Sequence, residues 1–292
     1  MSFLSTPSPL QQYIWRDRKF YIKRDDLLHP FINGNKARKF ESLLNVSLTG
    51  KILLSYGGHQ SNSMLALSYI SSLKGCNFVY ITNPLSNYLK ENPKGNFAIA
   101  LHNGMYLEFC KGDIGVLRDR AYEICRSLGE KVIFIPQGGA CQIASLGINK
   151  LALELFLDIK DLKNPMIFCT SGSGTSAAYL GHYLPNVYTT PACGDKAYLR
   201  VLLNSICFGT PVEILSLKTK PPFAKPDIRL YKIYEEWLKL GVEFDLIYDC
   251  LGWLCLSEHM KLFEDREIVF IHSGGLSGNG TQKERYKKAG II

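Results

Sequence analysis

Met166-Ile167-Phe168-Cys169-Thr170-Ser171-Gly172-Ser173-Gly174-Thr175-Ser176 runs an apolar strand into a turn of small residues, followed by a helix expected over 176–184. Small residues let backbone N–H groups come close to an anion, and the opening turn of a helix adds a favourable dipole. In physical terms the stretch is a phosphate cradle, with hydroxyls available from Ser173, Thr175 and Ser176. No Gly-Lys-Ser/Thr follows, so it is not a nucleoside-triphosphate loop. Gly172, Gly174 and Ala177 also fit the loose G-x-G-x-x-A pattern of dinucleotide-binding turns. That leaves a nicotinamide-dependent oxidoreductase as an alternative, but such a fold wants an acidic residue soon after the next strand. Here the next strand, 187–190, is followed by Pro191-Ala192-Cys193-Gly194, and Asp195 arrives late. The plainest alternative is a tight strand-to-helix turn with no ligand.

Short β-branched or aromatic runs alternate with helical stretches on both sides of this segment. Upstream, 51–56, 77–82, 106–109 and 131–135 read as strands, with helices predicted over 61–73 and 116–128. Downstream, strands are predicted at 187–190 and 268–271 and a helix over 228–240, with a proline-rich connection at 221–226. Such alternation argues for βαβ units and parallel sheets. The expectation is an α/β fold of two parallel-sheet lobes meeting at a cleft. Residues 1–41 and 149–292 would form the larger lobe and 42–148 the smaller.

Composition narrows the function classes. The chain has 292 residues, 46% of them apolar and 21% charged, which argues against disorder and fibrous repeats. Lys and Arg number 34 against 26 Asp and Glu, a net charge of +8 that suits a protein handling small anions. No Arg/Lys stripe with interleaved aromatics is present, so no nucleic-acid partner is expected. No apolar stretch is long enough to cross a bilayer, and no basic region followed by an apolar run opens the chain. Neither a membrane nor secretion is therefore expected. The nine scattered cysteines form no CxxC pair and fit a reducing cytoplasm. Cys250, Cys255 and His259 come nearest to a metal set but match no zinc spacing, so no metal is expected.

Four further glycine-punctuated segments stand where ligand loops sit in α/β folds: Asn33-Gly34-Asn35-Lys36, Gly57-Gly58-His59-Gln60-Ser61-Asn62, Gln137-Gly138-Gly139 and His272-Ser273-Gly274-Gly275. Together with the 171–176 turn they suggest one shared ligand. Lys36 lies among Lys23, Arg24, Arg38 and Lys39. Neighbouring cations lower a lysine's pKa and favour the neutral amine that attacks carbonyls. The competing reading is a solvated basic helix start.

Taken in order, Lys23-Arg24-Asp25-Asp26-Leu27, Gly34-Asn35-Lys36-Ala37-Arg38-Lys39, the 57–62 segment, Ile135-Pro136-Gln137-Gly138-Gly139-Ala140, the 171–176 loop and the 272–275 turn resemble the D-cysteine desulfhydrase and 1-aminocyclopropane-1-carboxylate deaminase family. These are pyridoxal 5'-phosphate enzymes of the tryptophan-synthase-β fold, fold type II, with the cofactor in the cleft between two lobes. The resemblance implies that Lys36 carries the cofactor aldehyde and then acts as the base at the substrate Cα. It implies that Ser173, Thr175 and the backbone at Gly172, Gly174 and Ser176 hold the phosphate. Asn62 would donate to the phenolic oxygen, Ser61 would face the substrate, and Tyr248 would be the active-site tyrosine. Ser273 would meet the pyridine nitrogen as a neutral hydroxyl.

The sequence departs from the family pattern in three places. Asn33-Gly34 replaces a doubled glycine, Ser273 replaces threonine, and Asp249-Cys250-Leu251-Gly252 replaces the usual Thr-Gly-Lys-Ala after Tyr248. The cofactor half of the site is therefore better supported than the substrate half. The implied activity is a lyase acting on a small amino acid, with D-cysteine desulfhydrase first and 1-aminocyclopropane-1-carboxylate deaminase second. A cofactor-binding homologue without turnover is the remoter outcome. The family also implies a cytoplasmic homodimer.

Overall fold

Ten strands form two sheets in the computed structural model, which describes residues 3–292. The strands are β1 (Leu10–Trp15), β2 (Arg18–Lys23), β3 (Ile52–Tyr56), β4 (Asn77–Thr82), β5 (Met105–Phe109), β6 (Val132–Phe134), β7 (Met166–Ser171), β8 (Val187–Pro191), β9 (Glu213–Ile214) and β10 (Ile268–Ile271). The larger sheet has the order β1-β2-β10-β7-β8-β9, and the smaller β5-β4-β3-β6. Every pairing is parallel except β1 with β2, which is antiparallel. Every residue of β7 is buried, as expected for a central parallel strand covered on both faces.

The helices are α1 (Gly34–Leu44), α2 (Asn62–Lys74), α3 (Asn87–Glu91), α4 (Gly95–His102), α5 (Ile114–Leu128), α6 (Ser145–Asp158), α7 (Thr175–Tyr183), α8 (Lys196–Ile206), α9 (Ile228–Lys239), α10 (Asp249–Glu258) and α11 (Asn279–Lys288). One face of the larger sheet is covered by an aromatic core in which Trp15, Trp237 and Trp253 stack with Phe20, Phe244 and Phe270. The opposite face packs Ile167 and Val269 against Ala177 and Leu180 of α7 and Ile148 and Leu151 of α6.

The smaller sheet is built wholly from residues 52–134. Helix α1 reaches across to it, because Ala37, Phe40, Leu43 and Leu44 share a core with Leu53, Met64 and Phe78. The same helix meets α6 so closely that a Cβ at Gly147 would lie 1.9 Å from the Arg38 carbonyl oxygen. Helix α1, which carries Lys36, thus sits at the seam between the sheets.

The β1–β2 hairpin is not among the strands read from the sequence, and residues 246–248 form a turn ahead of α10. Asp245 makes that turn, its carboxylate accepting hydrogen bonds from the Ile247 and Tyr248 amides. Among the described residues no helix is long and apolar enough to cross a membrane.

Candidate active site

The loops at the carboxyl ends of β10, β7 and β3 converge on the start of α1, where open α/β sheets bind ligands. Helix α1 is held to the 273–275 turn by two hydrogen bonds. The Asn35 amide donates to the Ser273 carbonyl at 3.0 Å, and the Gly275 amide donates to Asn33 Oδ1 at 3.1 Å. Gly34 has φ +60°, and a Cβ there would lie 1.9 Å from the Ser273 carbonyl oxygen. Gly34→Ala combines left-handed backbone strain with a backbone collision. It is expected to lower the melting temperature by several degrees and to displace Lys36, which thermal unfolding and a borohydride-trapping assay would each detect.

Lys36 is half-buried, and its Nζ donates to Asn35 Oδ1 at 2.9 Å. Desolvation brings its pKa down from 10.5 to about 8, although the buried Asp245 carboxylate pulls the other way. Burial pushes Asp245 up to about 6, against the backbone amides that it accepts and the charge of Lys36.

Of Arg38 and Lys39, the two cations nearest to Lys36 in the sequence, only Lys39 faces this site. Arg38 is fully buried and turns away into a network with Asp25, Glu154 and Ser8. Lys39 lies one turn after Lys36, as i,i+3 spacing on a helix dictates. Its Nζ donates to the Gly138 carbonyl at 2.9 Å and reaches Ser173 Oγ at 3.3 Å. Burial and the Lys36 charge together hold the Lys39 ammonium well below the usual lysine range. The Lys39 side chain therefore connects α1 to the 171–176 loop. That spacing was the signal that could have identified Lys39 from sequence.

In the 171–176 loop, Ser173 Oγ and Thr175 Oγ1 are 2.8 Å apart. Helix α7 starts on Gly174, which offers no side-chain cap. The first amides of a helix need partners from outside it. Ser176 Oγ is buried without a partner and lines a small cavity with Asn35, Thr170 and Ser273. Uncapped amides, adjacent hydroxyls and the Lys39 ammonium are a donor set that fits a phosphate group.

The other candidate residues surround the same cleft. Ser61 caps α2, its Oγ accepting from the Ser63 and Met64 amides, and its hydroxyl also lies within reach of the buried Tyr80 phenol. Asn62 opens α2, and its Nδ2 rests against Gly275, where a Cβ would come within 2.4 Å. Tyr248 packs its ring edge against Gly172 and lies edge-on to Phe223 at 5.9 Å. Burial raises its phenol pKa, with Cys193 and Asp245 adding to the effect. The hydroxyl and amide of Ser273 both engage the fully buried Asp249 carboxyl, whose Oδ2 lies 3.2 Å from His272 Nδ1. Sequence reading had noted Asp249 only as a departure from the family pattern. The structure puts it directly behind Ser273.

Comparison with known proteins places this geometry in context. The chain is 27% identical over 315 residues to D-cysteine desulfhydrase of Salmonella typhimurium, covering 94% of this chain and 93% of that protein. It is 26% identical over 313 residues to the bifunctional D-cysteine desulfhydrase/1-aminocyclopropane-1-carboxylate deaminase, mitochondrial, of Arabidopsis thaliana, covering 95% and 78%. Among solved structures, a homologue of 1-aminocyclopropane-1-carboxylate deaminase superimposes with a TM-score of 0.79 at 23% identity, over 98% of this chain and 94% of the other. No family model matches the chain. The chain is a relative of these enzymes along nearly its whole length, and its fold is that of the pyridoxal-phosphate enzymes of fold type II.

Proposed function

We propose that this chain is a pyridoxal-5'-phosphate-dependent lyase that takes D-cysteine to pyruvate, sulfide and ammonia. The observation that carries the reading is the pair Lys36 and Lys39, one amine whose pKa burial lowers to about 8 and the other reaching the hydroxyl loop. Ser173, Thr175, Lys39 and the amides opening α7 would hold the cofactor phosphate. Asn62 would meet the phenolic oxygen and Ser273 the ring nitrogen. Bound pyridoxal phosphate supplies a conjugated electron-withdrawing ring that stabilises negative charge at the substrate Cα.

This chain's residues do the rest. The neutral Lys36 Nζ takes the Cα proton, and Asp245 offsets the ammonium that results. Ser61 would face the substrate from the start of α2, and Tyr248 closes the cleft on the Gly172 side. The reading includes a homodimer in the cytoplasm acting on a small amino acid. Opening of 1-aminocyclopropane-1-carboxylate to 2-oxobutanoate and ammonia is the second reading. It rests on the Arabidopsis relative, whose name carries both activities.

Steady-state assays with both compounds separate the two. Pyruvate and sulfide from D-cysteine support the first reading, and 2-oxobutanoate alone supports the second. A panel of D- and L-amino acids without turnover overturns both.

The lowered pKa of Lys36 has a measurable consequence. Only the neutral amine captures an aldehyde, and the neutral fraction rises as pH climbs through the pKa. At pH 8 about half of Lys36 is neutral, against roughly one part in 300 for an ordinary lysine. The rate at which cofactor-free protein captures pyridoxal phosphate is therefore expected to rise up to about pH 8 and then level off, as followed by visible absorbance. A rate still climbing tenfold per unit at pH 9 would contradict it.

A further inference from the structure

We propose that Asn96, at the start of α4 in the smaller lobe, is a positioning residue that fixes which end of the Asn62 amide faces the cleft. The inference rests on the cofactor reading above and extends it to a residue outside the five glycine segments.

Asn96 is completely buried. Its Nδ2 donates to the Gln60 backbone carbonyl at 3.1 Å and to Asn62 Oδ1 at 2.7 Å. Its Oδ1 accepts from Ser277 Oγ at 2.8 Å, and its backbone amide donates to Gln60 Oε1 at 3.0 Å. Gln60 Nε2 in turn donates to the Lys94 carbonyl at 3.0 Å. Side-chain amides have two ends of similar shape, so their orientation must be deduced from partners that can act in only one way.

Backbone carbonyls are such partners, because they only accept. The Lys94 carbonyl makes Gln60 present nitrogen to it and oxygen to the Asn96 amide. The Gln60 carbonyl makes Asn96 present nitrogen, whose second proton then has Asn62 as its acceptor. Asn62 must meet Asn96 with oxygen and is left with nitrogen on the other side. That nitrogen lies over Gly275 beside Asp245 and has no protein acceptor among the described residues. The outcome is an N–H donor aimed into the cleft, set by the Gln60 backbone carbonyl through the side-chain amides of Asn96 and Asn62. Ser277, from the larger lobe, closes the network onto the other side of the site.

The test replaces the hub by an isostere of reversed polarity. In Asn96→Asp the side chain can no longer supply two donors, so the Asn62 amide turns to donate toward residue 96 and shows oxygen to the cleft. In protein loaded with pyridoxal phosphate, the phenolate of the cofactor then loses a charge-assisted donor and takes up a proton instead. The expected result is a fall of about tenfold or more in the ratio of the visible to the near-ultraviolet absorption band, with the pH titration of that ratio displaced.

Ser277→Ala leaves both donors of Asn96 in place and is expected to keep the wild-type spectrum. A merely structural lobe contact would instead affect both variants alike. If Asn96→Asp does not fold by circular dichroism, Asn96→Ser, too short to reach Asn62, frees that amide from its fixed orientation and is expected to lower the ratio in the same direction by a smaller factor. A wild-type band with an unchanged ratio in the folded Asn96 variant overturns the hub role alone. Wild-type protein that takes up no pyridoxal phosphate overturns the hub together with the reading beneath it.

Discussion

Lys36→Ala is expected to cost at least about a thousandfold in turnover while leaving the fold in place. The side chain makes one hydrogen bond, to Asn35 in the same helical turn, so its removal leaves no distant group unpaired. Alanine is also the best helix former, which suits a position near the start of α1. Stability should therefore move by no more than about 1 kcal/mol. Activity has no such reserve, because one amine is asked both to hold the cofactor and to take the Cα proton. Lys39 cannot replace it, since its Nζ is held by the Gly138 carbonyl and the Ser173 hydroxyl. Lys36→Arg keeps the charge but supplies no neutral nucleophile, so the same loss is expected. Steady-state assays paired with thermal unfolding check both halves. A variant retaining a tenth of wild-type turnover would remove Lys36 from the chemistry.

Arg38→Met is expected to show the opposite profile, a large loss of stability with the reacting groups untouched. The Arg38 guanidinium spans Asp25 and Glu154, at 2.8 and 2.7 Å, and both it and Asp25 are fully shielded from solvent. Lys23, equally buried, adds contacts to Glu154 and Asp158 at 3.0 and 2.7 Å. Methionine fills much of the volume but leaves the Asp25 carboxylate buried without its cation. Breaking a buried pair on one side costs about 3–5 kcal/mol. The corresponding drop in melting temperature is roughly 10 °C.

Burial tends to raise the Glu154 carboxyl, but Arg38 and Lys23 outweigh it and hold its pKa below the ordinary value. A carboxylate with a depressed folded-state pKa stabilises above its unfolded pKa and loses that contribution as pH falls through the folded value. Wild-type stability should therefore decline below the ordinary carboxylate range. The Arg38→Met variant should show a shallower decline, because the cation that depresses Glu154 is gone. Chemical denaturation at pH 7 and pH 4 measures this. Equal slopes for the two proteins would contradict it.

Much of the fold was legible because buried parallel strands announce themselves as short apolar runs. The strand at 77–82 was read to the residue, and those at 51–56, 166–169 and 187–190 to within two. The β1–β2 hairpin was not legible. Lys23 ends β2 fully buried only because Ser8, Glu154 and Asp158 meet it, and two of those lie more than 130 residues away. In isolation such a segment reads as a basic surface stretch. Arg38 misled for the same reason, since its partner Glu154 lies on another helix.

The candidate site divides along a similar line. Its glycine segments are local and could be quoted from sequence. Asn96 meets Asn62, and Asp249 meets Ser273, through contacts that only the folded chain creates. Local pattern reaches the loops, while the long-range hydrogen bonds that orient them become visible only when the two sheets are brought together.

The most direct measurement begins with the purified protein incubated with pyridoxal phosphate, reduced with borohydride and digested. Mass mapping should find a single phosphopyridoxyl group, on the peptide carrying Lys36. An adduct on Lys39 or on another lysine, or no adduct at all, would contradict the account.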